Sequence, residues 1–70
     1  MQGVVKVYDL DTGIGVIRRD DDGGEVMLLP GSLKGSLFRM LRQGQRIVFD
    51  TTEEDGILVA SNLRFGADGR

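Results

Sequence analysis

The sequence contains neither cysteine nor histidine among its 70 residues. Disulfides, thiolate and imidazole metal ligands, and the commonest catalytic bases and nucleophiles are therefore unavailable. Carboxylates could still bind Mg²⁺ or Ca²⁺, but the run Asp20-Asp21-Asp22 has neither the spacing nor the terminal glutamate of a calcium-binding loop. We predict a protein that is not an enzyme and that carries no metal or cofactor.

Long hydrophobic runs are absent as well. No stretch approaches the roughly 20 apolar residues of a membrane-spanning helix, and the first residues lack the basic and then apolar pattern of a signal peptide. We therefore expect a cytoplasmic location. A chain of 70 residues has room for one domain with a small core, so a second domain is excluded.

Short segments with alternating apolar residues, separated by Gly, Asp and Pro, predict five β-strands. Gly13 and Gly15 mark a tight turn or a close backbone approach at the start of the second strand. Pro30 ends the third strand because proline cannot donate a ladder hydrogen bond. If the pleat of the first strand is regular, Val5 and Val7 share one of its faces. The predicted strands cover approximately residues 3–8, 14–19, 25–29, 45–51 and 57–65.

The segment 30–44 has a different pattern, because Leu33, Leu37, Phe38 and Leu41 follow no single period. We predict a long loop with short helical pieces there. Three strands, a long loop and two further strands predict an all-β fold, a small five-stranded antiparallel barrel of the oligonucleotide-binding (OB) type. The domain is expected to span residues 1–65, followed by a frayed polar tail over 66–70.

The charges are segregated along the chain. The net charge is −2 and the isoelectric point is near 4.8, so the protein as a whole weakly repels a polyanion. Its acidic residues fall mainly in predicted turns and strand ends, which is typical of solvated hairpin tips. The basic residues that lie nearer to strands and the central loop are Lys6, Arg18, Arg19, Lys34, Arg39, Arg42 and Arg46.

The order of these residues resembles the cold-shock domain family from Gly3 to Leu63. Three segments in the first half match its pattern: GVVKVY (3–8) resembles the family's G-x-V-K-W-F, GIGVI (13–17) resembles the core of K-G-F-G-F-I, and VMLL (26–29) occupies the place of V-F-V-H. In the second half, LRQGQRIVFD (41–50) is similar to L-x-E-G-Q-x-V-x-F-E, and ASNL (60–63) is similar to A-x-N-V.

The resemblance implies a barrel that binds single-stranded DNA or RNA with little sequence preference, with bases stacked on aromatic rings. It implies stacking by Tyr8 and Phe38, and phosphate contacts by Lys6, Arg18 and Arg39. For Tyr8 the alternative is a wet position at the barrel rim, and for Phe38 it is anchoring of the long loop. The full set of residues that the resemblance places at the interface is Lys6, Tyr8, Ile14, Val16, Arg18, Met27, Leu29, Phe38 and Arg39.

Aliphatic residues occupy most positions at which the family carries stacking rings. Val7 stands at the tryptophan position, and four more aliphatic residues stand at its phenylalanine and histidine positions: Ile14, Val16, Met27 and Leu29. Loss of several stacking contacts, at about 1 kcal/mol each, weakens binding by a few powers of ten. We therefore predict weak or atypical binding of single-stranded nucleic acid.

A second hypothesis gives the same five aliphatic residues a different partner. Ile17, Val26 and Leu28 can supply the inward faces of the second and third strands, which leaves the other set exposed. Contiguous exposed apolar surface commonly marks an interaction site. The alternative function is therefore a protein-interaction or homodimerisation module that uses Val7, Ile14, Val16, Met27 and Leu29, while burial of these residues in the core is the third interpretation.

Overall fold

A computed structural model describes residues 1–34 and 38–65 of the chain. Its five strands are β1 (Gln2–Tyr8), β2 (Gly15–Arg19), β3 (Glu25–Leu28), β4 (Arg46–Glu54) and β5 (Ile57–Phe65). They close into a barrel in the order β1-β2-β3-β5-β4, with β4 paired back onto β1. The predicted all-β, five-stranded barrel is confirmed.

One strand pair departs from the predicted antiparallel arrangement. β3 and β5 run parallel and meet at Met27 and Val59, whereas the other neighbours in the barrel are antiparallel. The cause is geometric, because strand direction cannot alternate all the way around a closed ring with an odd number of strands. Closure of five strands therefore requires a parallel contact.

The core consists of the inward rows of the strands. Val5, Ile17 and Val26 face one another across β1, β2 and β3, and each is at most 1% exposed. Burial of side chains of this size contributes roughly 1.5–3 kcal/mol each. Leu28, Ile47 and Phe49 complete the most deeply buried set. The inward positions predicted for Ile17, Val26 and Leu28 are confirmed.

A β-bulge at Lys6 breaks the alternation of β1. Val5 lies opposite Ile17, but Val7 lies opposite Val16, so the bulge inserts one extra residue on β1. Val5 is consequently buried while Val7 is 51% exposed. The prediction that Val5 and Val7 share a face is wrong for this reason.

The hairpin between β4 and β5 is tighter than predicted. Asp55 and Gly56 have φ values of 53° and 78° and form a two-residue turn of the kind that suits antiparallel strands. Glu53 and Glu54 are therefore paired with β5 rather than forming the turn. β4 extends to Glu54 as a result.

The long segment between β3 and β4 contains turns, and none of its described residues is helical. The amide of Ser32 donates to the carbonyl of Leu29, and that of Lys34 donates to Gly31, as in successive tight turns. The predicted helical pieces are thus not present in the described part, and Leu37 lies outside it. The tail 66–70 also lies outside the described residues. In the part of the chain that is described, no helix has the length and hydropathy of a membrane span.

Candidate nucleic-acid interface

The outer surface of β1, β2 and β3 carries a row of aliphatic side chains. Val7, Val16 and Met27 are cross-strand neighbours in register, on the side opposite the core. Ile14 directly precedes β2 and is 42% exposed, and Leu29 directly follows β3 and is 37% exposed. We call these five residues the apolar face. None of them is buried, so the structure does not support the interpretation that they belong to the core.

Gly15 allows β2 to lie very close to β1 beside Val7 and Tyr8. A Cβ atom at Gly15 would lie 2.7 Å from the carbonyl oxygen of Val7 and 3.1 Å from Cδ1 of Tyr8. The backbone of β2 therefore approaches β1 as closely as glycine permits, as the sequence predicted.

Tyr8 lies in the inward row with Gly15 and Leu28, not in the row of the apolar face. Its ring is half-buried and packs against the core at one end of the barrel. Because Val7 points outward, its neighbour Tyr8 must point to the other side of the strand. The rim position considered for Tyr8 fits this structure, and the ring does not lie on the apolar face, so stacking by Tyr8 stays a prediction for a base that reaches the barrel rim.

Phe38 is buried in the hydrophobic core, with 9% of its surface exposed. Its ring contacts that of Phe65 in a tilted arrangement, with the ring centroids 4.9 Å apart. Little of the Phe38 side chain is accessible to a base in this arrangement, and stacking by Phe38 stays a prediction. Its burial in the core fits the alternative considered for Phe38, which is anchoring of the long loop.

The three predicted phosphate-binding cations differ in whether they form ion pairs within the protein. Lys6 Nζ lies 2.7 Å from Glu25 Oε2, in an ion pair whose side chains are both more than half exposed. Arg18 lies directly opposite Glu25 in the β2–β3 register and is exposed. Arg39 is exposed in the long loop. Among the described residues, neither Arg18 nor Arg39 has an ion pair, so these two guanidinium groups are available to a phosphate.

Glu25 is a residue of this site that sequence reasoning missed. The hydrogen bond and the charge of Lys6, followed by the charge of Arg18, hold the pKa of Glu25 below its usual value. Glu25 and Lys6 are 19 positions apart in sequence and on strands that are not neighbours in the barrel. Lys6 is the bulged residue of β1, and no periodicity in the sequence signals its contact with Glu25.

The cations beside the acidic turn are neutralised locally. Arg19 pairs with Asp22, and this hydrogen bond is the main reason that the pKa of Asp22 falls to about 2. Arg46 Nη1 pairs with Asp20 Oδ2 at 2.9 Å. These two basic groups are therefore engaged in ion pairs with the β2–β3 turn, which makes them less available to a ligand.

An open groove of about 910 Å³ lies beyond the end of the apolar face at which Arg18 and Glu25 neighbour Val16 and Met27 on β2 and β3. Lys6, Arg18 and Glu25 line it together with the acidic turn that follows β2. Among the residues that the structure describes, no group of three or more acidic, histidine or cysteine side chains could hold a metal ion. The groove thus presents mixed charge next to an aliphatic surface.

Comparison with known proteins gives consistent matches over nearly the whole chain. The family model described as the 'Cold-shock' DNA-binding domain matches residues 1–65. The chain is 31% identical over 62 residues to the Cold shock-like protein CspA of Rickettsia typhi, covering 89% of each chain. It is 32% identical over 63 residues to the Cold shock-like protein of Aquifex aeolicus, covering 90% of each. It is 30% identical over 61 residues to the Cold shock-like protein CspA of Shewanella violacea, covering 87% of each.

Proposed function

The chain belongs to the cold-shock DNA-binding domain family, a nucleic-acid-binding family, and on this premise we propose that it binds single-stranded DNA or RNA weakly and with little sequence preference. The observation that supports weak binding is the composition of the apolar face. The chain has four aromatic residues, and none of them lies on this face. The interface proposed here therefore contacts bases with aliphatic side chains.

Aliphatic contact retains part of the favourable burial of a base but loses the stacking geometry. A base stacked on an aromatic ring contributes roughly 1–3 kcal/mol, and every base has a face that can stack. Contact with Val16 or Met27 also has no hydrogen-bonding component that could read a base edge. Low affinity and low sequence preference follow from the same substitution.

Phosphate contacts supply the electrostatic part of the proposed binding. Arg18 and Arg39 are the exposed cations of the predicted set, and Lys6 can join them if it leaves Glu25. Each phosphate that is neutralised releases counterions, so the affinity must fall as salt is added. We expect this fall in affinity with added salt to be steep.

Fluorescence-anisotropy titration of labelled oligo-dT and of an equivalent RNA, at low and at physiological salt, tests the proposal. We expect binding at low salt that weakens as salt is added. Ile14→Asp should reduce it, because the new carboxylate lies on the apolar face. Ile57→Asp is the matched control. Ile57 is 50% exposed on β5, so this substitution introduces the same charge at an exposed position outside the apolar face. Absence of binding at low salt would contradict the proposal.

A second candidate function is association with a protein or with a second copy of the chain through the apolar face. Its support is the exposure of Val7, Ile14 and Leu29 on the apolar face, because exposed apolar surface of this kind commonly marks an interaction site. Sedimentation velocity over a range of concentrations tests self-association, and Ile14→Asp should abolish it while Ile57→Asp does not. A monomer at every concentration argues against the homodimer.

We propose that the protein acts by binding alone, without catalysis, and that it does so in the cytoplasm. The binding role of the family supports the first of these. An assay for hydrolysis of the bound oligonucleotide, run alongside the titrations, would expose a catalytic activity.

A further inference from the structure

We infer that Glu25 is a residue that limits the affinity of this protein for single-stranded nucleic acid, because it holds Lys6 in an ion pair and places a negative charge opposite Arg18. This inference rests on the proposed function. It assigns to the carboxylate of Glu25 a reduction in affinity that is separate from the reduction caused by the aliphatic residues of the apolar face.

The geometry places Glu25 between two cations. Lys6 is on β1 and Glu25 is the first residue of β3, so their 2.7 Å ion pair crosses over β2. Arg18 is the β2 residue directly opposite Glu25. One carboxylate therefore faces both cations that the first three strands offer at the end of the apolar face.

The β-bulge determines which cation is captured. Lys6 is the extra residue between the paired positions Val5 and Val7, and it is exposed although Val5 before it is buried. Bulges re-aim side chains in this way. In this chain the bulge directs the Lys6 ammonium group across the sheet towards β3.

Glu25 is charged under physiological conditions. Lys6 and Arg18 lower its pKa, so the carboxylate stays ionised throughout the neutral range. An incoming phosphate must therefore displace this carboxylate from Lys6 and, at Arg18, approach the same negative charge. Coulomb repulsion between groups a few ångströms apart in water corresponds to about a fivefold change in affinity.

Glu25 also lines the groove into which a bound strand of nucleic acid would continue from the apolar face. The groove beside the apolar face is lined by Lys6, Arg18 and Glu25, and it continues to the acidic turn after β2. A strand that leaves the apolar face into this groove passes the ion pair first. Glu25 therefore acts at the boundary between the base-contacting and phosphate-contacting parts of the interface.

Neutralisation of Glu25 tests the inference. Glu25→Gln and the matched control Glu54→Gln change the net charge equally, and Glu54 is an exposed residue at the far end of β4. With labelled oligo-dT at low salt, we expect Glu25→Gln to bind about three- to tenfold more tightly than wild type, with a steeper salt dependence. Glu54→Gln should change the affinity by less than about twofold.

Lys6→Gln in both backgrounds shows whether the release of Lys6 is the cause. In the wild-type background it should weaken binding by less than about twofold, because Lys6 is already occupied. In the Glu25→Gln background it should remove most of the gained affinity. Glu25→Ala provides a second neutral variant, and thermal unfolding followed by circular dichroism verifies that each variant is folded.

The outcomes separate the inference from the function on which it rests. Wild-type binding at low salt reports on the proposed function, whereas the ratio of Glu25→Gln to Glu54→Gln reports on the inference. Equal affinities of these two variants overturn the inference while leaving the function standing. Weaker binding by Glu25→Gln overturns it as well and would show that Glu25 contacts the ligand favourably. If neither wild type nor Glu25→Gln binds, both proposals are overturned.

Discussion

The aromatic residues of this chain lie in the core or at the rim of the barrel or at the end of β5, and none lies on the apolar face. Phe49 is fully buried, Phe38 is in the core against Phe65, and Tyr8 packs at the rim. Phe65 is 59% exposed but lies at the end of β5, away from the row of Val7, Val16 and Met27. The barrel therefore keeps the hydrophobic contribution of its rings while the outer surface of β1–β3 has none.

Restoring rings to the apolar face should increase affinity for single-stranded nucleic acid. Val16→Phe and Met27→Phe place adjacent rings on β2 and β3, since these residues are cross-strand neighbours. Each new base contact is worth roughly 1–3 kcal/mol, or about five- to a hundredfold in the dissociation constant. Anisotropy titration of oligo-dT with each single variant and with the double variant measures the gain.

Val48→Phe is the matched control for these two variants. Val48 is a half-buried aliphatic residue of β4, outside the apolar face. A ring there should leave the affinity unchanged within about twofold, because no base is expected to reach it. If Val16→Phe and Met27→Phe bind no more tightly than Val48→Phe, bases do not contact the apolar face.

At the scale of strands, alternation predicted which residues of β2 and β3 face inward. The glycines and Pro30 likewise predicted where the first strands begin and end. The bulge at Lys6 could not be predicted, because it depends on how β1 pairs with β2 and not on the pattern within β1. The same limit applies to the Lys6–Glu25 pair and to the burial of Phe38, since each depends on a contact between distant segments.

A second irregularity, in β5, makes a prediction at this scale. Asn62 has a φ of 52°, and its Nδ2 donates to Asp50 Oδ2 at 3.0 Å beside a register shift in the β4–β5 pairing. Asn62→Ala should lower the free energy of unfolding by roughly 1–2 kcal/mol, because alanine tolerates this backbone conformation poorly and cannot donate the hydrogen bond. Denaturant unfolding followed by circular dichroism measures the loss.

Asn62→Gly separates the two causes. Glycine adopts positive φ without steric cost, so it loses the hydrogen bond alone and should be less destabilising than alanine. A glycine variant that is less stable than the alanine variant would show that backbone conformation at this position is not the controlling factor.

For the whole molecule, the arrangement of charge matters more than the net value of −2. Carboxylates of the β2–β3 turn and of β4 hold several of the cations in ion pairs: Arg19 with Asp22, Arg46 with Asp20, and Arg64 with Asp50. Exposed pairs of this kind contribute little stability individually. Their collective effect is that few cations are left to attract a polyanion, which agrees with the weak binding proposed here.

The same ion pairs predict how stability depends on pH. The pKa of Asp22 is lowered to about 2, mainly by its hydrogen bond with Arg19, and the pKa values of Glu25 and Asp50 are also lowered. Because these carboxyl groups bind protons more weakly in the folded state than in the unfolded state, their contribution is present above their unfolded pKa values, about 4. It is lost as the pH falls from about 5 towards 2.

We therefore expect the thermal midpoint, followed by circular dichroism, to fall steadily between pH 5 and pH 2. Asp22→Asn should lower the midpoint at pH 7 and make the decline below pH 4 shallower, since the group that titrates there is gone. Glu54→Gln, which removes an exposed carboxylate with no ion pair among the described residues, should change neither. A midpoint that is constant from pH 5 to pH 2 would contradict this account. Lysine and arginine stay charged over this range, so any decline must come from the carboxylates.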